Sequence, residues 1–157
     1  MTLTITPLDA ISEKLRTKEP WVDTGGVQWL SPGGMKVREL ATAMNELHAR
    51  FVTITAYQLP GEQGFRLEYH WDLDGCLLGF PFLLAGKSID SIYDLCEAVD
   101  WIEREIHEGF DIDFSGREYE PLLLRQGDTP GVNLRDVVAA SIAVAPSNAV
   151  APSKEKI

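Results

Sequence analysis

Three histidines, two cysteines and 24 acidic residues are the groups in this 157-residue chain that could hold a metal or move a proton. His48, His70 and His107 fall in separate segments, and no HxH or HExxH spacing joins any two of them as metal ligands. His70, Asp72 and Asp74 alternate along one stretch and so share one face of a strand, where ordinary solvated polar surface is the plainer reading than a ligand set. Cys76 and Cys96 have no CxxC or CxxxC companion, so no zinc or iron–sulfur frame can be written, and both are expected as free thiols packing as small apolar residues. Carboxylate pairs such as Glu103 with Glu105, or Asp111 with Asp113, are the material of a general acid and base. A hydrolase, however, needs two held at a defined separation across a cleft, and abundance does not supply that geometry. No GxSxG, GxGxxG or Gly-rich phosphate loop is present. Catalysis by this chain alone is the weaker expectation, and a small carboxylate-pair hydrolase is its concrete form.

Fourteen basic residues against 24 acidic ones leave a net charge of −10, which argues against nucleic acid as a partner and favours association with basic surfaces. The longest apolar stretch, Cys76 to Ala85, is broken by Gly79 and Pro81 and is about half of the ~20 residues that a membrane-spanning helix needs. The N-terminus lacks the basic and apolar regions of a secretory signal, so a cytosolic chain is expected, meeting a membrane only through partners.

The elements that must position these groups are legible in the apolar spacing. Leu8, Ile11 and Leu15 predict a short helix ending before Pro20, and Val27 to Leu30 a short strand. Val37, Leu40, Met44 and Leu47 form one stripe of a helix. Phe51 to Leu59, a turn at Pro60 to Gly64, and the alternation Phe65, Leu67, Tyr69, Trp71, Leu73 predict a hairpin. Asp74-Gly75 turns the chain into a third strand, Cys76 to Leu84, whose continuous apolar run suits burial on both faces. Ser91 is expected to open a second main helix, with Asp94 completing a weak capping box, along Ile92, Leu95, Val99, Ile102 and Ile106, and Gly109 is expected to stop it. Phe110, Ile112 and Phe114 then alternate with acids before a turn at Gly116. The expected fold is α+β, an antiparallel or mixed meander packed against two main helices. Residues 1–126 form the domain, and 127–157 form an extended tail of low complexity.

The densest segment is Trp101-Ile102-Glu103-Arg104-Glu105-Ile106-His107-Glu108-Gly109-Phe110. Helical spacing sends Ile102 and Ile106 to the core and turns Glu103, Arg104 and Glu108 away from it, as a face that is either wet or partner-binding. On that placement Arg104 is expected to matter more for assembly than for the stability of the isolated chain.

Trp101-Ile102-Glu103-Arg104-Glu105, followed by Glu108, Phe110, Ile112, Phe114, Gly116 and Pro121-Leu122-Leu123-Leu124, resembles the signature of the 30 kDa subunit family of respiratory NADH:quinone oxidoreductase, which extends to membrane-bound nickel–iron hydrogenases. The likeness covers Val37 to Arg125, including Ser91, the Asp100 before Trp101 and the Pro60 to Gly64 hairpin. It departs from the family where Glu108 is followed by Gly109-Phe110-Asp111, where Arg117 stands for a His or Lys, and where Glu118-Tyr119-Glu120-Pro121 replaces Asp-Leu-Arg-Arg. These differences mark a divergent branch.

The resemblance implies a non-catalytic α+β subunit of a membrane-associated oxidoreductase, docked on the hydrogenase-like large (49 kDa-type) subunit and on iron–sulfur subunits of the peripheral arm. It would lie at the cytoplasmic side of the inner membrane. It implies no cofactor in this chain, with iron–sulfur clusters and a flavin or nickel–iron centre in the partners. Trp101, Glu103, Arg104, Glu105, Glu108, Phe110, Phe114, Gly116 and Arg117 would be its motif and interface residues, with Phe110 and Phe114 as apolar anchors. The competing expectation is a free-standing acidic interaction module with the same fold.

Overall fold

A computed structural model describes residues 6–61 and 63–135, so residues 136–157 of the expected tail lie outside the described residues. Helix α1 (Pro7–Lys14) is followed by strands β1 (Val22–Thr24) and β2 (Val27–Trp29), helix α2 (Val37–Glu46), and strands β3 (Arg50–Gln58), β4 (Phe65–Leu73), β5 (Cys76–Leu84) and β6 (Ser88–Asp90). A single 3₁₀ turn (Glu97–Val99) then leads into helix α3 (Asp100–Phe110) and strand β7 (Asp113–Ser115). Five strands form a mixed sheet in the order β1-β2-β5-β4-β3, and β6 pairs with β7 in a separate parallel ribbon. The expected meander is β3-β4-β5, all antiparallel, and β2 joins it in parallel to β5. The architecture is therefore α+β, as the sequence pattern predicts.

Alternation decides which face of the sheet is dry. Phe65, Leu67, Tyr69, Trp71 and Leu73 of β4 are buried and belong to one core with Ile11 of α1, Leu40 and Met44 of α2 and Ile106 of α3. Arg66, Glu68, His70 and Asp72 take the opposite, half-buried face. Aromatic edges lock the dry side, with Trp71 meeting Phe80 at 5.8 Å and Phe51 at 5.8 Å between ring centroids. Asp74 (φ 53°) and Gly75 (φ 80°) form the two-residue turn with two positive φ angles that matches the twist of an antiparallel pair.

Two local expectations change. The β5 run is sealed on both faces only near its middle, where the Trp29 ring covers Gly79, whereas Leu83 is 71% exposed. The helix expected from Ser91 begins instead at Asp100. Ile92 and Leu95 keep their helical spacing because Leu95 and Cys96 donate back to the Ile92 carbonyl in a lone turn, after which Cys96 is extended (φ −147°, ψ 96°). Asp94 does not cap a helix; it forms a two-bond fork with Arg38 of α2, at 2.7 Å for each bond. Gly109 is inside α3, and the left-handed residue that ends the helix is Asp111 (φ 55°). What Gly109 supplies is close approach. Asn133 donates its amide to the Gly109 carbonyl at 2.7 Å, and a Cβ on Gly109 would lie 2.7 Å from the Asn133 side-chain nitrogen.

The β2–β5 joint is equally tight, since a Cβ on Gly79 would sit 2.6 Å from the Trp29 ring. Gly79→Val is expected to push Trp29 aside and to destabilise the chain by about 1–3 kcal/mol, the usual cost of overpacking. Urea unfolding of the two proteins checks this, and an unchanged midpoint would show that Trp29 does not need that space.

Candidate functional site

The charged residues of the family-like motif other than Arg117 sit on α3, and the structure divides them by where they point. Residues 103, 106 and 110 lie on the inner stripe of the helix, and Glu103 is completely buried. A carboxylate out of water needs donors, and Glu103 has three: the Ser91 hydroxyl (2.6 Å), the Ile92 amide (3.0 Å) and the Arg117 guanidinium (3.0 Å). This also accounts for the break in the expected helix. In a continuous helix, residues 91 and 103 would be about 18 Å apart along the axis, so Glu103 could not reach Ser91.

Arg117 arrives from the far side of the Gly116 turn (φ 89°) with its side chain only 7% exposed. It bridges Glu103 and Asp100 and lies over the Tyr93 ring at 4.8 Å and the Tyr119 ring at 5.4 Å. The hydrogen bond from Arg117, reinforced by Arg104, holds the Asp100 carboxyl below its ordinary range. Tyr119 stacks on His107 at 3.8 Å and closes a ring of hydrogen bonds with the backbone of Phe114, and burial pushes its phenol up to about 12.

Arg104 and Glu108 do not form an outward charged face, contrary to the helical-spacing expectation. They hold the strap 119–124 by its backbone. Arg104 donates to the carbonyls of Glu120 and Pro121, each at 3.0 Å, and also to Asp100. Glu108 accepts the amides of Leu122 (2.6 Å), Leu123 (2.7 Å) and Leu124 (3.0 Å). Burial alone would raise the Glu108 carboxyl. The three amides together outweigh it, with the charge of Arg104 adding to them, and leave it below its ordinary value. Periodicity could not show this, because the strap that covers the polar side of α3 comes from later in the chain.

The remaining motif residues separate in the same way. Phe114 is fully buried in the core and Phe110 packs on Phe65, so both aromatic rings serve the interior. Gly116 supplies a positive-φ turn. Trp101 is 71% exposed and Glu105 is exposed one turn further along the same stripe. The carboxylate pairs do not converge: Glu103 is buried while Glu105 faces out, and Asp111 pairs with Lys87 at the surface while Asp113 is exposed. His70 meets Trp29 edge-on at 5.3 Å, Asp72 pairs with Arg50 and accepts the Gly75 amide, and Asp74 makes the turn. Cys76 and Cys96 are free, half-buried thiols. Tyr93 and Tyr119 are members of the Arg117 cluster that sequence reasoning missed. The one signal for Tyr119 is its place in the divergent stretch Glu118 to Pro121, and spacing gives none for Tyr93.

Two expectations follow. Removing one partner of a buried ion pair leaves a charge without compensation, so Glu103→Ala and Arg117→Ala should each cost about 3–5 kcal/mol. The double variant should cost less than the sum, which a double-mutant cycle by denaturant unfolding reads directly. Asp100 and Glu108, with lowered folded-state pKa values, stabilise the fold fully above the ordinary carboxylate values of about 4, and that contribution is lost as the pH falls through their lowered values. Glu108→Gln should therefore cost about 1–3 kcal/mol near neutrality and flatten the loss of stability below about pH 4. Parallel unfolding curves for both proteins from pH 7 to 3 would contradict this.

The comparisons with known proteins bear on the same segment. A trypsin-resistant fragment of Nqo5 (residues 1–134) has a similar fold with a TM-score of 0.58, 21% identity, and coverage of 73% of this chain and 100% of that one. A chain of a membrane-bound sulfane sulfur reductase, an archaeal respiratory membrane complex, has a similar fold with a TM-score of 0.57, 20% identity, and coverage of 71% and 69%. In a comparison with curated protein sequences there is no significant match. The family model for the 30 kDa subunit of respiratory-chain NADH dehydrogenase matches residues 35–141, a span that takes in α2, α3 and the strap 119–124, and the chain belongs to that family.

Proposed function

We propose that this chain is a non-catalytic, structural subunit of a membrane-associated oxidoreductase of the respiratory or hydrogenase-related kind. It docks on a hydrogenase-like large subunit and on iron–sulfur subunits of the peripheral arm, at the cytoplasmic face of the inner membrane. Family membership makes it a subunit of such a multisubunit complex, and no described helix is long and apolar enough to cross a membrane, which fits a peripheral place.

One observation carries the structural role. Three charged groups of the motif are engaged by the chain itself: Glu103 by Ser91, Ile92 and Arg117, and Arg104 and Glu108 by the backbone of the strap. Groups tied up in this way fix a surface for neighbours. On this reading the electron-carrying centres, iron–sulfur clusters with a flavin or a nickel–iron site, belong to the partners, and this chain sets their relative positions.

Purification of the tagged full-length chain from its native cells in mild detergent, with mass spectrometry and metal analysis, tests the proposal. The expected eluate contains a hydrogenase-like large subunit and iron–sulfur subunits in near-equal amounts, with iron well above the background of the chain alone. Recovery of the chain by itself and free of iron would establish the independent acidic module instead.

A further inference from the structure

Helix α3 is enclosed on two sides by later parts of its own chain. The strap 119–124 is held by Arg104 and Glu108, and the return at 131–134 is held by the Glu108 and Gly109 carbonyls, which accept the amides of Gly131 (2.8 Å) and Asn133 (2.7 Å). Between these two coverings one stripe stays open, and it carries Trp101 and, four residues on, Glu105. Each of the two coverings also exposes an apolar residue, Leu123 at 73% and Val132 at 63%.

An indole at 71% exposure is costly to leave in water on a surface that is otherwise tightly bonded, and aromatic residues of this kind are the commonest anchors of protein interfaces. The charges around it are unevenly spent. Arg104 and Arg117 are consumed by Asp100, Glu103 and backbone carbonyls, while Glu105 takes part in no ion pair among the described residues. The stripe thus offers an indole face with an uncommitted carboxylate one turn away, on a chain whose net charge is −10. A guanidinium fits both groups at once, because it stacks on an aromatic face and forks to a carboxylate.

We infer that the open stripe of α3, Trp101 with Glu105, is the docking surface for an arginine-bearing segment of a neighbouring subunit. This rests on the subunit role proposed above. The groups that hold the two straps shape the surface, and Trp101 and Glu105 provide its binding chemistry.

The test uses the full-length tagged chain in its native cells, comparing the wild type with Trp101→Ala, Glu105→Arg and, on the open face of the sheet, Leu83→Asp. The fraction of each chain that migrates with the complex in mild detergent is measured, together with the melting temperature of each isolated chain. Trp101→Ala and Glu105→Arg should lower the complex-bound fraction about tenfold or more, as loss of an interface anchor does, with melting temperatures near that of the wild type. Leu83→Asp should assemble normally. In a companion experiment a benzophenone amino acid placed at Leu123 should crosslink to a peptide of a co-purifying subunit that contains arginine.

A wild-type chain that never migrates with a complex defeats the subunit reading itself. A wild type that assembles while Trp101→Ala and Glu105→Arg assemble equally well defeats only this surface. Crosslinks that fall on an acidic segment, on lipid, or on residues 136–157 of the same chain would do the same.

Discussion

A carboxylate with no exposure to water, in a chain that already carries a net charge of −10, is the group on which the rest of this structure depends. Burying Glu103 without compensation would cost several kcal/mol, so every element that can supply a donor is drawn to it. Ser91 and Ile92 come from the loop after β6, and Arg117 comes from beyond β7. These two segments are also joined as the β6–β7 ribbon, whose parallel register places Ser88 opposite Asp113 and Asp90 opposite Ser115. The carboxylate therefore fixes where the ribbon sits relative to α3, and the ribbon in turn delivers Arg117 to the carboxylate. Hydrophobic packing sets which side of α3 meets the sheet, through Ile106 and Phe110, and the buried ion pair adds the link between that helix and the ribbon.

Much of this was legible in advance, and the reasons differ element by element. The β3-β4-β5 meander was readable because strict alternation at Phe65 to Leu73 and the Asp74-Gly75 turn are local facts, and each has one geometric solution. Helix α2 was readable because its apolar stripe and its burial coincide. Spacing points to Ser91 as the start of α3, nine residues before its start at Asp100, because Ile92, Leu95 and Val99 obey helical spacing in a lone turn and a 3₁₀ turn as well as they would in a helix. Periodicity measures which side is apolar; it does not measure whether the intervening backbone is continuous.

Spacing singles out the charged residues of α3 and does not show where they point. Trp101, Glu103, Arg104, Glu105, Glu108, Phe110, Phe114, Gly116 and Arg117 stood out together, yet the pattern turned Glu103, Arg104 and Glu108 outward when they face the chain's own interior and straps. A helical wheel treats a charge as a preference for water. Here each charge has a non-local partner that replaces water: the Arg117 guanidinium, strap carbonyls or strap amides. Such partners lie 14 to 17 residues away in sequence, and nothing in local spacing announces them. Arg104 shows the consequence. With its side chain 15% exposed and tied to Asp100 and two carbonyls, it stabilises the isolated chain, so its replacement acts on folding before it acts on assembly.

The same bonding explains why a small subunit can present a firm surface without a large core behind it. The strap 119–124 has no regular secondary structure of its own and would be an ordinary mobile loop if water satisfied its backbone. Glu108 instead takes three successive amides while Arg104 takes the two carbonyls before them, so five consecutive residues are pinned by two side chains one helical turn apart. Neither residue could be replaced by an apolar one without freeing backbone groups that the helix then shields from solvent. The acidic and basic character of this motif is thus a requirement for bonding backbone, imposed from inside the chain. A partner is left to recognise only what those bonds do not consume, and on α3 that remainder is one indole and one carboxylate.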